Sequence, residues 1–404
     1  MRSVTVTVPG SKSLTNRALV CAALAEGTST ITGALVADDT AAMSDCLQAL
    51  GATVVWDGTT VRVTGVAGRI AVSEAQLDAR LSGTTSRFVL PLLALGSGRF
   101  TLDGEEQLRR RPMGPSLDAL RDLGASVEEQ GEPGHLPVVV QGPVGGGEAS
   151  VRGDLSSQFV SGLLLAAPAM PGGLRLTLRS SLVAAPFVTM TVEVMKAFGA
   201  DVDELNVRPG GYRACDFAVE PDASAASYFL GAAALLGEQI TVESLGADSL
   251  QGDVRFARVL ERMGATVLLG DGSVTVTGGD LRGIDVDLGD MPDMAQTFAV
   301  VAACAEGPSR VRGVEVIRGH ETDRITAVVN ELRRVGVGAE ETDDGFVIEP
   351  APLRPATVET YDDHRMAMSF ALLTLREPGI EIADPGVVAK TFPGFWDALA
   401  RLRL

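Results

Sequence analysis

Lysine is the scarcest charge in this chain. Of 404 residues 34 are basic, and only Lys12, Lys196 and Lys390 are lysine, leaving 31 arginines. Lysine offers a compact charge and a pKa that burial can move, neither of which arginine supplies. Aromatic residues are also few, at 4%, so core packing falls to Val, Leu and Ala. The four cysteines (Cys21, Cys46, Cys215, Cys304) include no CxxC pair and read as free thiols in a reducing compartment. His135, His320 and His364 lie far apart, so no metal-ligand cluster is apparent. No apolar run reaches the roughly 18 residues that would mark a membrane-spanning helix. The N-terminal Val4-Thr5-Val6-Thr7-Val8 alternates with period two, as a strand does, and lacks the apolar stretch of a signal peptide. A soluble, cytoplasmic protein is expected.

A net charge of −18 argues against nucleic acid as the main partner. An acidic chain binds an anion only where its basic residues are gathered locally. Its length points to two or three domains, and a hydrophobic content of 46% is ample for their cores.

One phrase recurs: a helix ending in an apolar residue, then Gly-Ala, then a strand. It appears at Gly51, Gly124, Gly199 and Gly264, with a degenerate copy at Gly336, and the spacings are 73, 75, 65 and 72 residues. A glycine just past a helix is the usual left-handed C-cap, and the regular interval marks a repeat. Each unit reads as β-α-β-α-β-β, and about six copies fill the chain. Six units suit two domains of three. The candidate hinge is Val219-Glu220-Pro221-Asp222, with Asp222 capping a helix from Ala223 to Leu236.

The chemistry-bearing clusters fall mostly at helix starts, where partial positive charge and free N–H groups favour anions. Ser11-Lys12-Ser13 leads into a helix that carries Arg17 one turn from Ser13. Gly83-Thr84-Thr85-Ser86-Arg87 opens an apolar helix, with Arg87 open to either a ligand or a structural role. Arg109-Arg110-Arg111 precedes another helix, and three adjacent arginines in so acidic a chain suggest anion binding. Asp154-Leu155-Ser156-Ser157-Gln158 opens a very apolar helix, capped by Asp or Ser. Asp293 reads as an N-cap or as a base at the mouth of a cleft. Arg318-Gly319-His320-Glu321-Thr322-Asp323-Arg324 is the densest cluster, with Glu321 and Arg324 spaced for an ion pair. Tyr361-Asp362-Asp363-His364-Arg365 enters a helix of small and apolar residues. Lys390 precedes Thr391-Phe392-Pro393. Lys196 reads as a residue of a solvated helix face.

In combination, Pro9 to Arg17, Glu321 to Arg324, Asp363 to Met368 and Lys390 to Phe392 resemble the 5-enolpyruvylshikimate-3-phosphate synthase (3-phosphoshikimate 1-carboxyvinyltransferase) family of enolpyruvyl transferases, essentially end to end. The resemblance implies an α/β (α+β) fold of two domains, each with three β-α-β-α-β-β repeats, and an active-site cleft between them. The domains would be residues 13–220, and residues 1–12 plus 221–404. The implied reaction moves the enolpyruvyl group of phosphoenolpyruvate to the 5-hydroxyl of shikimate 3-phosphate through a tetrahedral intermediate and releases phosphate. It belongs to the shikimate pathway of aromatic amino acid and chorismate biosynthesis. No cofactor and no metal is implied; the partners are the two small substrates, with neither nucleic acid nor membrane, and the enzyme would be a monomer.

By the same resemblance, Lys12, Ser13, Arg17, Ser156, Ser157, Gln158, Asp293 and His320 would bind shikimate 3-phosphate. Lys12, Gly83, Arg111, Gln158, Arg324, Arg365 and Lys390 would bind phosphoenolpyruvate. Asp293 would be the base for the 5-hydroxyl. Glu321 would protonate the methylene and later remove a proton. Lys12 and Lys390 would stabilise charge or shuttle protons. Four positions depart from the common pattern: His320 for Lys, Leu81 for Asn, Ala184 for Ser and Phe88 for Pro. Two rivals are the sister enzyme acting on UDP-N-acetylglucosamine and a non-catalytic phosphosugar-binding protein. The first usually carries a reactive Cys where this chain has Leu108 to Pro112. Retention of both Asp293 and Glu321 speaks against the second.

Overall fold

A computed structural model describes residues 2–402. The chain divides into two compact units. The N-terminal unit is Gly10–Val219, and the C-terminal unit joins the residues through Pro9 to those from Glu220 onward.

In both units the repeat is a small sheet of fixed topology. A parallel strand pair comes first, and an antiparallel hairpin is added to one edge. In the N-terminal unit this gives Glu74–Asp78, Arg99–Asp103, Val138–Gln141 and Ser126–Glu129, in that spatial order. Another sheet there places Gly147–Val151 beside Leu174–Leu178 in parallel, followed by the short hairpin Asn206–Val207 and Val202–Asp203. The remaining four-stranded sheet takes its first strand, Asp216–Ala218, from the far end of the unit and pairs it with Thr28–Thr32 in parallel. The C-terminal unit does the same in reverse: Ser3–Val6, from the start of the chain, lies parallel to Gln239–Glu243, with Ser3 opposite Gln239. Its second sheet orders Asp285–Asp287, Ser309–Arg312, Gly345–Glu349 and Gly338–Thr342.

The expected sixth copy is reduced. Among the described residues its sheet is only Ala356–Val358 paired with Ile380–Ile382. After Ile380–Ile382 the chain passes through the 3-10 segment Pro385–Lys390 and the helix Phe395–Ala400, as the preceding repeat passes through Glu315–Gly319 and Arg324–Arg334, but no hairpin is added among the described residues.

The sheets bury one face by alternation. In Gln239–Glu243, Ile240 and Val242 are buried; in Thr60–Thr64, Val61 and Val63 are. Each repeat contributes one largely enclosed helix to its unit's core. In the N-terminal unit these are Lys12–Leu24, Gly83–Leu93 and Ser157–Ala166, which pack against one another. In the C-terminal unit they are Ala223–Leu236, Ala295–Ala302 and His364–Ala371. Alanine, leucine and small hydroxyl residues let such helices lie close. A buried helix also brings the unsatisfied N–H groups of its first turn into the protein, so its N-terminus must be capped or bind something. Ser11 to Arg17, Gly83 to Arg87, Asp154 to Gln158, Asp293 and Tyr361 to Arg365 lie at or near these starts.

All five repeated glycines have positive φ: 103° at Gly51, 92° at Gly124, 82° at Gly199, 117° at Gly264 and 97° at Gly336. Two of them isolate strain from contact. A Cβ at Gly124 meets nothing within 4 Å, whereas one at Gly264 lies 2.4 Å from the Asp280 carbonyl oxygen. Gly124→Ala is therefore expected to cost about 1–2 kcal/mol from backbone strain alone, and Gly264→Ala clearly more. Urea unfolding of the two variants measures the difference; equal losses would contradict it.

Candidate active site

In the N-terminal unit, serines cap the three buried helices. Ser11 accepts from Leu14 N, Ser82 from Thr85 N and Ser156 from Gln158 N. Capping falls to Ser156, while Asp154 pairs instead with Arg152 at 2.8 Å. Neutral caps satisfy one N–H each and leave the positive helix end uncompensated.

Side chains tie these helix starts together. Gln158 Nε2 donates to Thr84 Oγ1 at 3.2 Å and Gln158 Oε1 accepts from Arg87 at 2.7 Å. Arg87 also lies over the Phe159 ring, 4.8 Å from its centroid. The sequence left Arg87 undecided; its partner is 71 residues away, which no local pattern reveals.

Arg17 is enclosed. It donates to Thr191 Oγ1 at 2.7 Å, to the Ser13 carbonyl at 2.9 Å, to the Phe187 carbonyl at 3.0 Å and to Ser161 Oγ at 3.5 Å. Its link to Ser13 thus runs through the backbone oxygen. The Phe88 ring lies beneath it, 5.1 Å away. Among the described residues no carboxylate pairs with it, and burial pulls the guanidinium down to about 9. A cation desolvated without a counter-ion favours an anionic ligand.

Lys12 is the first residue of its helix, where the dipole disfavours a cation. Asp39, in the first turn of Asp38–Ala49, answers it at 3.2 Å. The arginine triplet divides. Arg109 pairs with Asp103 at 2.6 Å and Arg110 with Glu106, both on the surface. Only Arg111 is buried, and its guanidinium packs on Gly83, where an added Cβ would lie 2.5 Å from NH1. The expectation that all three gather an anion therefore narrows to one: acidic neighbours within one turn or one loop take the other two. Lys196 pairs with exposed Glu193 at 3.0 Å on a helix surface, as its sequence suggested.

In the C-terminal unit the buried Arg324 organises the site. Its Nε donates to Asp363 at 2.6 Å and NH2 to the same carboxylate at 3.1 Å. NH2 also reaches Glu321 at 2.9 Å; NH1 reaches Asp293 and His320 Nδ1, each at 2.9 Å. All five N–H groups of a guanidinium thus have acceptors. With its amide oxygen turned inward, Gln296 also accepts from Arg324 Nε at 3.0 Å and donates to the Asp293 carbonyl at 3.3 Å. Burial pushes the Arg324 pKa down, but Asp363, Glu321 and Asp293 together outweigh it and raise it.

Two further cations extend the chain of charge. Arg365 donates to Asp293 Oδ2 at 2.9 Å, and Lys390 to Glu321 Oε1 at 3.0 Å. Asp293 makes no side-chain cap of its helix, which corrects the N-cap alternative; two arginines occupy its oxygens instead. The spacing of Glu321 and Arg324 gives the ion pair expected of it. Asp363 caps the helix His364–Ala371 by accepting from Arg365 N, and it is fully buried. The preceding Tyr361 and Asp362 both adopt φ of 55°, a costly conformation for non-glycine residues. Tyr361 is held by its hydroxyl bond to buried Glu331 at 2.7 Å. The strained turn delivers Asp363 to Arg324, a partner 39 residues away that the sequence did not identify.

Among the described residues, no group of three or more His, Cys, Asp or Glu side chains is arranged to hold a metal, and no helix is long and apolar enough to cross a membrane. The four cysteines are free, two buried and two half-buried.

Dense cations are threaded with two partly buried carboxylates, Asp293 and Glu321. The family model described as EPSP synthase (3-phosphoshikimate 1-carboxyvinyltransferase) matches residues 3–399. The 3-phosphoshikimate 1-carboxyvinyltransferase of Trichormus variabilis is 43% identical over 402 residues, covering 97% of this chain and 94% of that one. That of Serratia proteamaculans is 42% identical, covering 98% and 96%. The structure of EPSP synthase from Acinetobacter baumannii superposes with a TM-score of 0.82 at 27% identity, over 99% of this chain and 95% of the other. An enolpyruvyl transferase from Streptomyces tendae shares the fold, with a TM-score of 0.75 at 21% identity. The chain belongs to the EPSP synthase family.

The buried pair at the centre of this site has a measurable cost of disruption. Asp363→Ala leaves Arg324 without its bidentate acceptor and is expected to destabilise the protein by about 3–5 kcal/mol, against under about 0.5 kcal/mol for Lys196→Ala. Chemical denaturation tests both; a small loss at Asp363 would contradict the central role of the pair.

Proposed function

We propose that this chain transfers the enolpyruvyl group of phosphoenolpyruvate to the 5-hydroxyl of shikimate 3-phosphate and releases phosphate. It does so as a monomer in the cytoplasm, where its four free thiols stay reduced.

The observation that carries the reading is the run of alternating charge Arg365–Asp293–Arg324–Glu321–Lys390, with each link at 2.9–3.0 Å. Two carboxylates joined through one guanidinium suit a reaction that needs a base at a hydroxyl and an acid at a carbon. Asp293 accepts the 5-hydroxyl proton as that oxygen bonds to C2 of phosphoenolpyruvate. Glu321 delivers a proton to C3, making the methyl group of the tetrahedral intermediate. The C2–O bond to phosphate then breaks as Glu321 takes a proton back from the methyl group, which restores the double bond. Lys390, bonded to Glu321, lends Glu321 the proton for C3 and regains it after elimination. Arg324 and Arg365 bind the carboxylate and phosphate of phosphoenolpyruvate, together with Lys12, Gly83, Arg111 and Gln158. His320 bonds ring hydroxyls.

For shikimate 3-phosphate, Ser13 and Arg17 take the carboxylate. The desolvated guanidinium of Arg17, lacking a carboxylate partner among the described residues, supports this role. Ser156, Ser157 and Gln158 take the phosphate at a helix start with a neutral cap.

Two-substrate phosphate release is the primary test. Phosphate should appear only with both substrates present; turnover of the UDP-sugar instead would overturn the assignment. Within the same assay, Lys12→Ala and Lys390→Ala are expected to lose roughly a hundredfold or more in kcat, and Lys196→Ala to match the wild type. Normal turnover of either of the first two would remove that lysine from the chemistry.

A further inference from the structure

The helix Arg324–Arg334 carries two buried charges on one face. Arg324 is its first residue, and Glu331 stands two turns along, about 10 Å further down the axis. Arg324 holds Asp363, at 2.6 and 3.1 Å. Glu331 is fully buried and holds the segment just ahead of Asp363. Its Oε2 accepts from Glu359 N at 3.0 Å, and its Oε1 accepts from Tyr361 Oη at 2.7 Å. Residues 359–363 are therefore fastened to one helix at both ends. Within that span Tyr361 and Asp362 both adopt φ of 55°, and Asp363 N donates to the Thr360 carbonyl at 2.9 Å.

This backbone needs its fastenings. Consecutive non-glycine residues in the left-handed region persist only where surrounding contacts over-determine them. A short polar side chain such as that of Asp362 is better tolerated there than an aromatic one. The less tolerant residue, Tyr361, is the one tied down by its hydroxyl. Glu331 in turn gives both oxygens to this task. A buried carboxylate weakens a fold unless its oxygens are met, and its remaining partner, Arg334 Nε at 2.8 Å, reaches it from a half-exposed position.

The turn also sets where the next helix begins. Asp363 accepts from Arg365 N at 2.8 Å as the cap of His364–Ala371, and Arg365 donates from that first turn to Asp293 at 2.9 Å. Arg324 fixes one point of the segment, about which it could still pivot. A second fixed point, at Tyr361 and Glu359, sets its direction.

We propose that Glu331 and Tyr361 are positioning residues for the phosphoenolpyruvate site, supplying the second fixed point of the turn from which Arg365 projects. They act through Asp363 and Arg365. The proposal rests on the role given above to Arg365.

The test uses the full-length enzyme and three variants. Tyr361→Phe removes one hydroxyl and keeps the ring. Glu331→Gln keeps the size of the side chain but sets an amide N–H against one of its donors. KM for phosphoenolpyruvate is expected to rise about fivefold in the first and roughly tenfold in the second, with kcat changed less than about threefold and KM for shikimate 3-phosphate unchanged. Should Glu331→Gln fail to fold, Tyr361→Phe decides, because Glu331 then keeps Glu359 N and Arg334.

Arg334→Ala is the control. It removes the third partner of Glu331 without touching the turn, so Tm should fall while KM for phosphoenolpyruvate stays within about twofold of the wild type. A merely structural Glu331 would make kcat and both KM values worsen together with Tm in all three variants, and that result overturns the proposal. So does an unchanged KM for phosphoenolpyruvate in Tyr361→Phe. Arg365→Lys, measured in parallel, separates the two levels. If it leaves KM for phosphoenolpyruvate unchanged, the reading of Arg365 fails and this proposal with it. If it raises KM while Tyr361→Phe does not, only this proposal fails.

Discussion

The C-terminal site depends on one buried guanidinium. Arg324 is 1% exposed, and a charge so enclosed is tolerable only if its hydrogen bonds are met by acceptors that are themselves held. Meeting that requirement draws in Asp363 from a strained turn, Asp293 from a 3-10 turn, and Glu321 and His320 from the segment just ahead of the helix Arg324–Arg334. Once these are fixed, Arg365 and Lys390 follow, because each pairs with a carboxylate that Arg324 has already positioned. The site is thus neutralised from within, with cation and carboxylate alternating along its length.

The two units solve the same problem at buried helix starts in different ways. In the N-terminal unit the caps are Ser11, Ser82 and Ser156, which leave the helix ends positive. In the C-terminal unit Asp222 and Asp363 cap two of the three with a charge that offsets the helix end, and Ala295–Ala302 has no side-chain cap. The serine-capped set suits an anion that supplies the missing charge. The aspartate-capped set, laced with arginine, suits proton transfer among groups whose charges are already balanced.

The repeat was legible because it rests on local rules: glycine past a helix end, alternation in a strand, a hydroxyl or carboxyl residue ahead of an apolar helix. Asp222 as a cap, the ion pair of Glu321 with Arg324, and the surface place of Lys196 all follow from spacings of four residues or fewer. Arg109 and Arg110 could not be told from Arg111 by composition; their acceptors Asp103 and Glu106 decide it. Asp293 looked equally like a cap until the arginines reaching it were seen, from 31 and 72 residues away. Arg17 with Thr191, separated by 174 residues, is the extreme case. What the residues alone withheld was long-range pairing and the smaller size of the last sheet.

The resting Arg365–Asp293 ion pair holds the place of a substrate anion, freeing Asp293 when that anion arrives. A crystal structure with shikimate 3-phosphate and a non-reacting phosphoenolpyruvate analogue tests this most directly. Arg365 should leave Asp293 for the analogue's anionic groups, while the Lys390–Glu321 and Arg324–Asp363 pairs stay intact. Both substrates bound with the Asp293–Arg365 contact unbroken would contradict it.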